Sequence, residues 1–112
     1  MKTPKNSVDI NQQLLDAVID NDPVTTQHCL ERGANPNFFE DSAKIRPLHF
    51  AAIYQSDRVV NLLILAGADL NAKCDQSSET PLDIATRKHN QSMIKQIKAA
   101  KLLQSLSSEN LQ

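Results

Sequence analysis

Apolar residues along this 112-residue chain fall in short stretches with helical spacing, set apart by polar segments. Between Asn11 and Asn21, the residues Leu14, Leu15, Ala17, Val18 and Ile19 form one apolar face and predict a first helix. Pro23 suits the first position of a partner helix, where its missing N–H would be an orphan donor anyway, and Cys29 and Leu30 would face inward. Pro47 opens another short helix, in which the small residues Ala51 and Ala52 permit close approach of a neighbour. Val59, Val60, Leu62, Leu63 and Ile64 supply the face of its partner, and Gly67 the permissive backbone just past the end. Pro81 begins the pattern again, and Met93, Ile94, Ile97, Ala100 and Leu103 continue it. The unit is helix, turn, helix and extended segment, so the predicted fold class is all-α.

The unit recurs at a fixed period. Gly33-Ala34-Asn35-Pro36-Asn37 precedes Gly67-Ala68-Asp69-Leu70-Asn71 by 34 residues, and Arg46-Pro47-Leu48-His49-Phe50-Ala51 precedes Thr80-Pro81-Leu82-Asp83-Ile84-Ala85 by the same 34. Pro47-Leu48-His49-Phe50-Ala51 resembles the T-P-L-H-x-A signature of the ankyrin repeat, with Arg46 in place of Thr, and Gly67 to Asn71 resembles the G-A-D-x-N that ends its second helix. The period alone would also suit tetratricopeptide units, which lack both motifs. The resemblance implies an ankyrin-repeat solenoid of about three helix-turn-helix repeats with finger loops, over residues 9–41, 42–75 and 76–106. Residues 1–8 and 107–112 are expected to be disordered. It also implies structural roles for Pro47, Leu48, His49, Ala51, Gly67, Asn71, Thr80, Pro81 and Leu82, with His49 tying a finger to its neighbour. Asn71, after Leu63, Asp69 and Leu70, further resembles the loose pattern modified by an asparaginyl hydroxylase of ankyrin repeats; a hydrogen bond within the turn is the simpler expectation.

Composition narrows the function. Only four aromatic residues are present, Phe38, Phe39, Phe50 and Tyr54, which suits an aliphatic core built by stacking. The formal net charge of −1 offers no dominant polyanion-binding surface, and no apolar run approaches the ~20 residues of a membrane span. The polar start, with Lys2 and Lys5, lacks a secretory apolar segment, so a cytoplasmic, complete chain is expected. Cys29 and Cys74 give no disulfide framework and are expected to be free thiols. No pair among His28, Cys29, His49, Cys74 and His89 has zinc-site spacing, so no metal and no cofactor is expected. Nucleophile–base pairings and a phosphate-cradling glycine loop are absent from a chain with two glycines, which argues against an enzyme.

Departures from the family pattern carry further expectations. The first unit has Gln12-Gln13-Leu14-Leu15 where T-P-L-H belongs, and Gln12, Gln13, Asp16 and Asp20 suit the polar outer face of a terminal repeat. Both fingers lack the glycine common in the family's turn, and more open or more mobile turns are expected. Phe38 and Phe39 are neighbours in the first finger; strand-like alternation puts Phe38 in packing and Phe39 outward. No glycine stands at Lys101, so the last helix should run long, its Leu102, Leu103 and Leu106 either closing the last repeat or forming a partner-binding stripe; closure is the preferred expectation.

Charge is uneven. Asp9, Asp16, Asp20, Asp22, Glu31, Glu40 and Asp41 face only Arg32 in the first unit, whereas Arg87, Lys88, Lys95, Lys98 and Lys101 face only Asp83 between Leu82 and Leu106. A protein-binding module is the reading that survives, and the resemblance implies it too. Its expected surface is the concave face of fingers and first helices, with Phe38, Phe39, Ile45, Ile53, Tyr54, Arg87 and Lys88 contacting a protein partner. Adaptor, inhibitor and microbial effector acting on a host protein remain open as roles, the last with delivery into a host cell. A monomer is expected, with self-association, or nucleic-acid contact through the basic last helix, as alternatives.

Overall fold

The computed structural model describes residues 9–39, 43–75 and 77–110, with the side chains of 107–110 left aside. Its helices are α1 (Ile10–Ile19), α2 (Pro23–Glu31), α3 (Pro47–Ile53), α4 (Asp57–Leu65), α5 (Pro81–Arg87) and α6 (Gln91–Asn110), with no strand among the described residues. They pair as α1 with α2, α3 with α4 and α5 with α6; α1, α3 and α5 pack side by side in one layer, and α2, α4 and α6 in the other. Each pair is too small to bury its own apolar face, so Leu14, Val18, Leu48, Val59, Val60, Leu63, Ile84, Met93 and Ile97 form one continuous core along the stack.

The starts of the helices follow from the residues that open them. Pro23, Pro47 and Pro81 are all at the first helical position. Asp22 Oδ1 accepts the N–H of Thr25 at 3.1 Å, and Asn90 Oδ1 that of Met93 at 3.1 Å. Thr80 and Asp83 cap one another reciprocally, Thr80 Oγ1 accepting from the Asp83 N–H and Asp83 Oδ2 from the Thr80 N–H. Ser56, at the equivalent N-cap of α4, makes no such bond; Asn21 of the preceding repeat reaches over to accept the Arg58 N–H at 3.0 Å.

The 34-residue period is written into the backbone more completely than into the side chains. Seven described residues have φ in the left-handed region, and they sort into three sets spaced one period apart: Asn21, Gln55 and His89; Gly33 and Gly67; Lys44 and Ser78. At Gly33 and Gly67 a Cβ would meet nothing within 4 Å, so the backbone angle, at φ +99° and +104°, is what calls for glycine. The other five are L residues in the same conformation, held there by the repeat around them.

The first described repeat presents a polar outer face. Gln13, Asp16, Asp20, Asp22 and Thr25 stand one period before Pro47, Phe50, Tyr54, Ser56 and Val59. Pro47, Ser56 and Val59 are buried, whereas the five cap residues line an open, acidic groove. The other end departs from expectation. α6 continues to Asn110, into the segment expected to be an unstructured tail, and Leu102, Leu103 and Leu106 are exposed rather than closing the last repeat. With no glycine after Ala100 the chain never turns back beneath the repeat, so these leucines project past the layer they were expected to cover. The disorder expected over 1–8 and 111–112 concerns residues outside those described.

Thr26 is a local misfit. It stands where the period puts Val60 and Ile94, is fully buried, and its hydroxyl has no hydrogen-bond partner. Thr26→Val is expected to raise the unfolding free energy by about 1 kcal/mol, a melting temperature higher by roughly 4–8 °C in thermal denaturation; a lower value would mean that the hydroxyl is satisfied in solution.

Candidate partner-binding face

The face formed by α3, α5 and the fingers is organised by one buried imidazole. His49 is fully buried. Its Nδ1 accepts the Arg46 N–H at 3.1 Å, so the proton sits on Nε2, which donates to the carbonyls of Ala72 at 2.9 Å and Glu79 at 3.1 Å. The ring therefore starts α3 and holds both arms of the second finger. That finger is a closed turn, correcting the open one expected: the Cys74 N–H donates to the Glu79 carbonyl at 3.1 Å and the Ser78 N–H to the Cys74 carbonyl at 2.9 Å. Ser78 adopts φ 56° where glycine was missing, which is how the turn closes without one. The two fingers are joined by the Asp75 N–H donating to the Ala43 carbonyl at 2.8 Å and by a looser Lys44–Asp75 ion pair at 3.9 Å.

The stack itself is pinned by Asn37. Its Oδ1 accepts the Asp69 N–H at 2.7 Å and its Nδ2 donates to the Gly67 carbonyl at 3.1 Å, tying equivalent turns of successive repeats. Asn71 is one period later, but α6 has no such turn to receive it; its backbone N–H is accepted by Asp69 Oδ1 at 2.9 Å and its side chain is exposed. The turn bond is thus made by its backbone.

Between the fingers and the helices lies a cavity of about 250 Å³ lined by Ala43, Ile45, His49, Ile53, Cys74, Ser77, Glu79, Ile84 and Arg87. Three of the residues expected at a binding face, Ile45, Ile53 and Arg87, meet here. Arg87 is not a bare cation: its Nε and one terminal nitrogen donate to the Glu79 carboxylate at 2.9 and 3.1 Å. That bidentate bond, with a weaker contribution from the Ser77 hydroxyl, holds the Glu79 carboxyl below the usual carboxylate range. At Arg87 the face therefore presents a neutralised pair rather than a bare cation. Burial pushes the Cys74 thiol upward, but the Ser77 hydroxyl at 3.1 Å and nearby backbone N–H groups bring it below its ordinary value.

The remaining candidates lie outside the cavity lining. Tyr54, at the C-cap of α3, is 53% exposed, its ring centroid 6.3 Å from that of Phe50. Phe38 is half-buried and Phe39 is exposed beneath the Arg46 guanidinium, 4.9 Å from the ring centroid. Lys88 caps α5, half-buried. Sequence reasoning missed Ser77, Glu79 and Ile84. The period held the signal for two of them: Ala43 and Ser77, Ile45 and Glu79, and Ile53 and Arg87 are each 34 apart, so the cavity is bounded by equivalent positions of two repeats. Among the described residues no group of His, Cys, Asp and Glu could hold a metal ion, and no helix is long and apolar enough to cross a membrane.

A proline-started helix and a glycine-ended second helix, each recurring at 34 residues, with a histidine bridging to the next finger, decide the family, and residues 30–85 match the family model described as ankyrin repeats (many copies). The chain belongs to the ankyrin-repeat family. It is 32% identical over 83 residues to the ARF GTPase-activating protein Git of Drosophila melanogaster, covering 73% of this chain and 11% of that protein. It is 40% identical over 63 residues to the 2-5A-dependent ribonuclease of Homo sapiens, covering 56% of this chain and 8% of that protein. The likeness thus spans a small part of each relative. Ankyrin repeats generally mediate protein–protein interaction and are generally non-enzymatic.

Two outcomes are expected. Burial holds the His49 pKa below the ordinary histidine value, against the opposing pull of its two carbonyl partners. In the unfolded chain the ring takes a proton from about pH 6.5 downward while the folded ring stays neutral, so stability is full above that pH and is lost as pH falls. His49→Gln is expected to lose this slope below about pH 6.5 and to cost roughly 2–4 kcal/mol at pH 7.5, measured by urea denaturation; an unchanged slope would reassign it to other groups. Ser78→Gly should gain up to about 1 kcal/mol in the same assay, since the left-handed angle costs a serine more than a glycine, and a loss would show that Ser78 is unstrained.

Proposed function

We propose that the protein is a binding module that docks a protein partner on its concave face, through the cavity between the fingers and α3 and α5 and the exposed aromatics beside it. The observation that carries this reading is the cavity itself: an aliphatic floor of Ala43, Ile45, Ile53 and Ile84, with the Glu79–Arg87 pair at its edge, supplied by equivalent positions of adjacent repeats. An apolar side chain of a partner fits such a floor, and Phe39 and Tyr54 offer large, rigid contact area. Membership of a family that generally binds proteins supports the same reading.

The cavity does hold a thiol and an imidazole, the parts of a nucleophile and a base. Both nitrogens of His49 are committed to backbone groups, so the ring has no lone pair to take a proton from Cys74, and no catalytic role is assigned. A cytoplasmic adaptor, an inhibitor or an effector acting on a host protein would each use the face in this way.

A binding protein captured from cell lysate by the intact chain and identified by mass spectrometry is expected to lose at least about tenfold in affinity for a chain carrying Phe39→Ala, Tyr54→Ala and Arg87→Ala, as read by calorimetric titration. The variant should keep its helical circular dichroism. Equal affinity of the two chains would move the binding face elsewhere.

A further inference from the structure

The convex side of the stack carries an apolar face that neither the core nor the concave cavity uses. Leu65 in the last turn of α4 is 84% exposed, Leu103 of α6 lines the same groove, and Leu102 and Leu106 of α6 are exposed as well. Ala99, Leu102, Leu103 and Leu106 share one stripe of α6 by their three- and four-residue spacing, while Met93 and Ile97 face the core. The groove between α4 and α6, of about 380 Å³, is floored by Ile64, Leu65, Ala99, Ala100 and Leu103. Single exposed leucines are ordinary on a protein surface, but two that line an apolar groove, with two more on the same stripe of α6, mark an interaction site.

The two rims of this face differ in charge. Toward the first repeat, Leu65 and Leu62 adjoin a second groove whose lining includes Glu31, an exposed carboxylate that accepts from Gln27 at 2.8 Å; Arg32, the next residue, does not line it. On the far side α6 presents the exposed Lys95 and Lys98. An apolar centre between an acidic and a basic rim is self-complementary under a two-fold axis parallel to the helices, because that rotation carries the basic rim of one copy onto the acidic rim of the other.

We infer that the convex face is the interface of a homodimer: the leucine stripe of each α6 lies over the α4–α6 groove of a second copy, and Lys95 and Lys98 of each copy meet the partner copy's acidic rim at Glu31. The inference is independent of the concave-face reading, and it replaces the monomer expected from sequence. Lysine stems extend the apolar contact at the rim, which suits Lys95 beside Leu102 and Ala99.

Sedimentation equilibrium of the full chain over a concentration series is expected to show the mass rise from 12.4 kDa toward twice that value. A chain with Leu102→Glu and Leu103→Glu should remain monomeric with unchanged helical signal and the melting temperature of the parent chain at high dilution, as both sites are exposed. Glu31→Lys should weaken association at least about fivefold, and adding Lys95→Glu and Lys98→Glu to that same chain should restore it. A monomer at millimolar concentration, association that survives the leucine substitutions, or a charge-swapped chain that stays weak would each overturn the homodimer; a partner captured through the concave face would be retained by the leucine variant in any of these cases.

Discussion

The buried ring of His49 is the interaction on which the rest of the concave side depends. Three backbone groups from separate segments, the Arg46 N–H and the carbonyls of Ala72 and Glu79, converge on its two nitrogens. Without the ring, the Arg46 N–H and the Ala72 carbonyl would lose the partner they have here, a cost of about 1–3 kcal/mol for each that stayed dry, and the Glu79 carbonyl would keep only the Cys74 N–H. With it, the start of α3 and both arms of the second finger are fixed together, and that closeness places Ser77, Glu79 and Arg87 around the cavity. The apolar core aligns the helices, but its packing is nondirectional and could not position a finger. A directional bond at 0% exposure does.

The neighbouring repeats show how much variation this arrangement absorbs. In the third repeat Asp83 occupies the position of His49 and has no following finger to hold, so its carboxylate turns back to the Thr80 N–H and completes a cap. In the second repeat Arg46 replaces Thr80's counterpart, and the hydroxyl half of the cap is lost. Arg46 instead sends its side chain outward, where it donates to the Asn37 carbonyl at 3.3 Å and covers Phe39. The substitution exchanges a helix cap for a contact with the preceding finger. Local stability is given up at one terminus, and an exposed aromatic is positioned in return.

The helices were legible because their signals are local. Pro23, Pro47 and Pro81 mark starts by the donor they lack, Gly33 and Gly67 mark ends by the angle they permit, and the apolar spacing between them has a helical period. The finger turns were not, since Lys44 and Ser78 take a left-handed angle that their side chains do not advertise. Only the repeat period links them to a position where glycine is usual. The candidate cavity was half legible: Ile45, Ile53 and Arg87 stood out as side chains on the expected face, but the pairing of Arg87 with Glu79 joins a helix to a finger and depends on the turn geometry that was misjudged. Expecting a basic rim followed directly from reading a cation without its partner.

The last helix shows a different limit, one of principle. A leucine stripe at helical spacing says that one face of a helix is apolar and nothing about what lies opposite. In α4 the face of Val59, Val60 and Leu63 is covered because repeats stand on both sides. In α6 the same logic is satisfied by Met93, Ile97 and Ala100, and the leucines that follow fall beyond the neighbouring helix, since α4 ends at Leu65 while α6 runs on to Asn110. The first repeat closed its open face by exchanging apolar residues for Gln13, Asp16, Asp20 and Thr25. Had the other end been designed only to stop the stack, the same polar exchange would have served. Leaving Leu102, Leu103 and Leu106 uncovered on a helix that also carries exposed Lys95 and Lys98 is a cost that such an exchange would have avoided, and it is the cost that the inferred second copy would relieve.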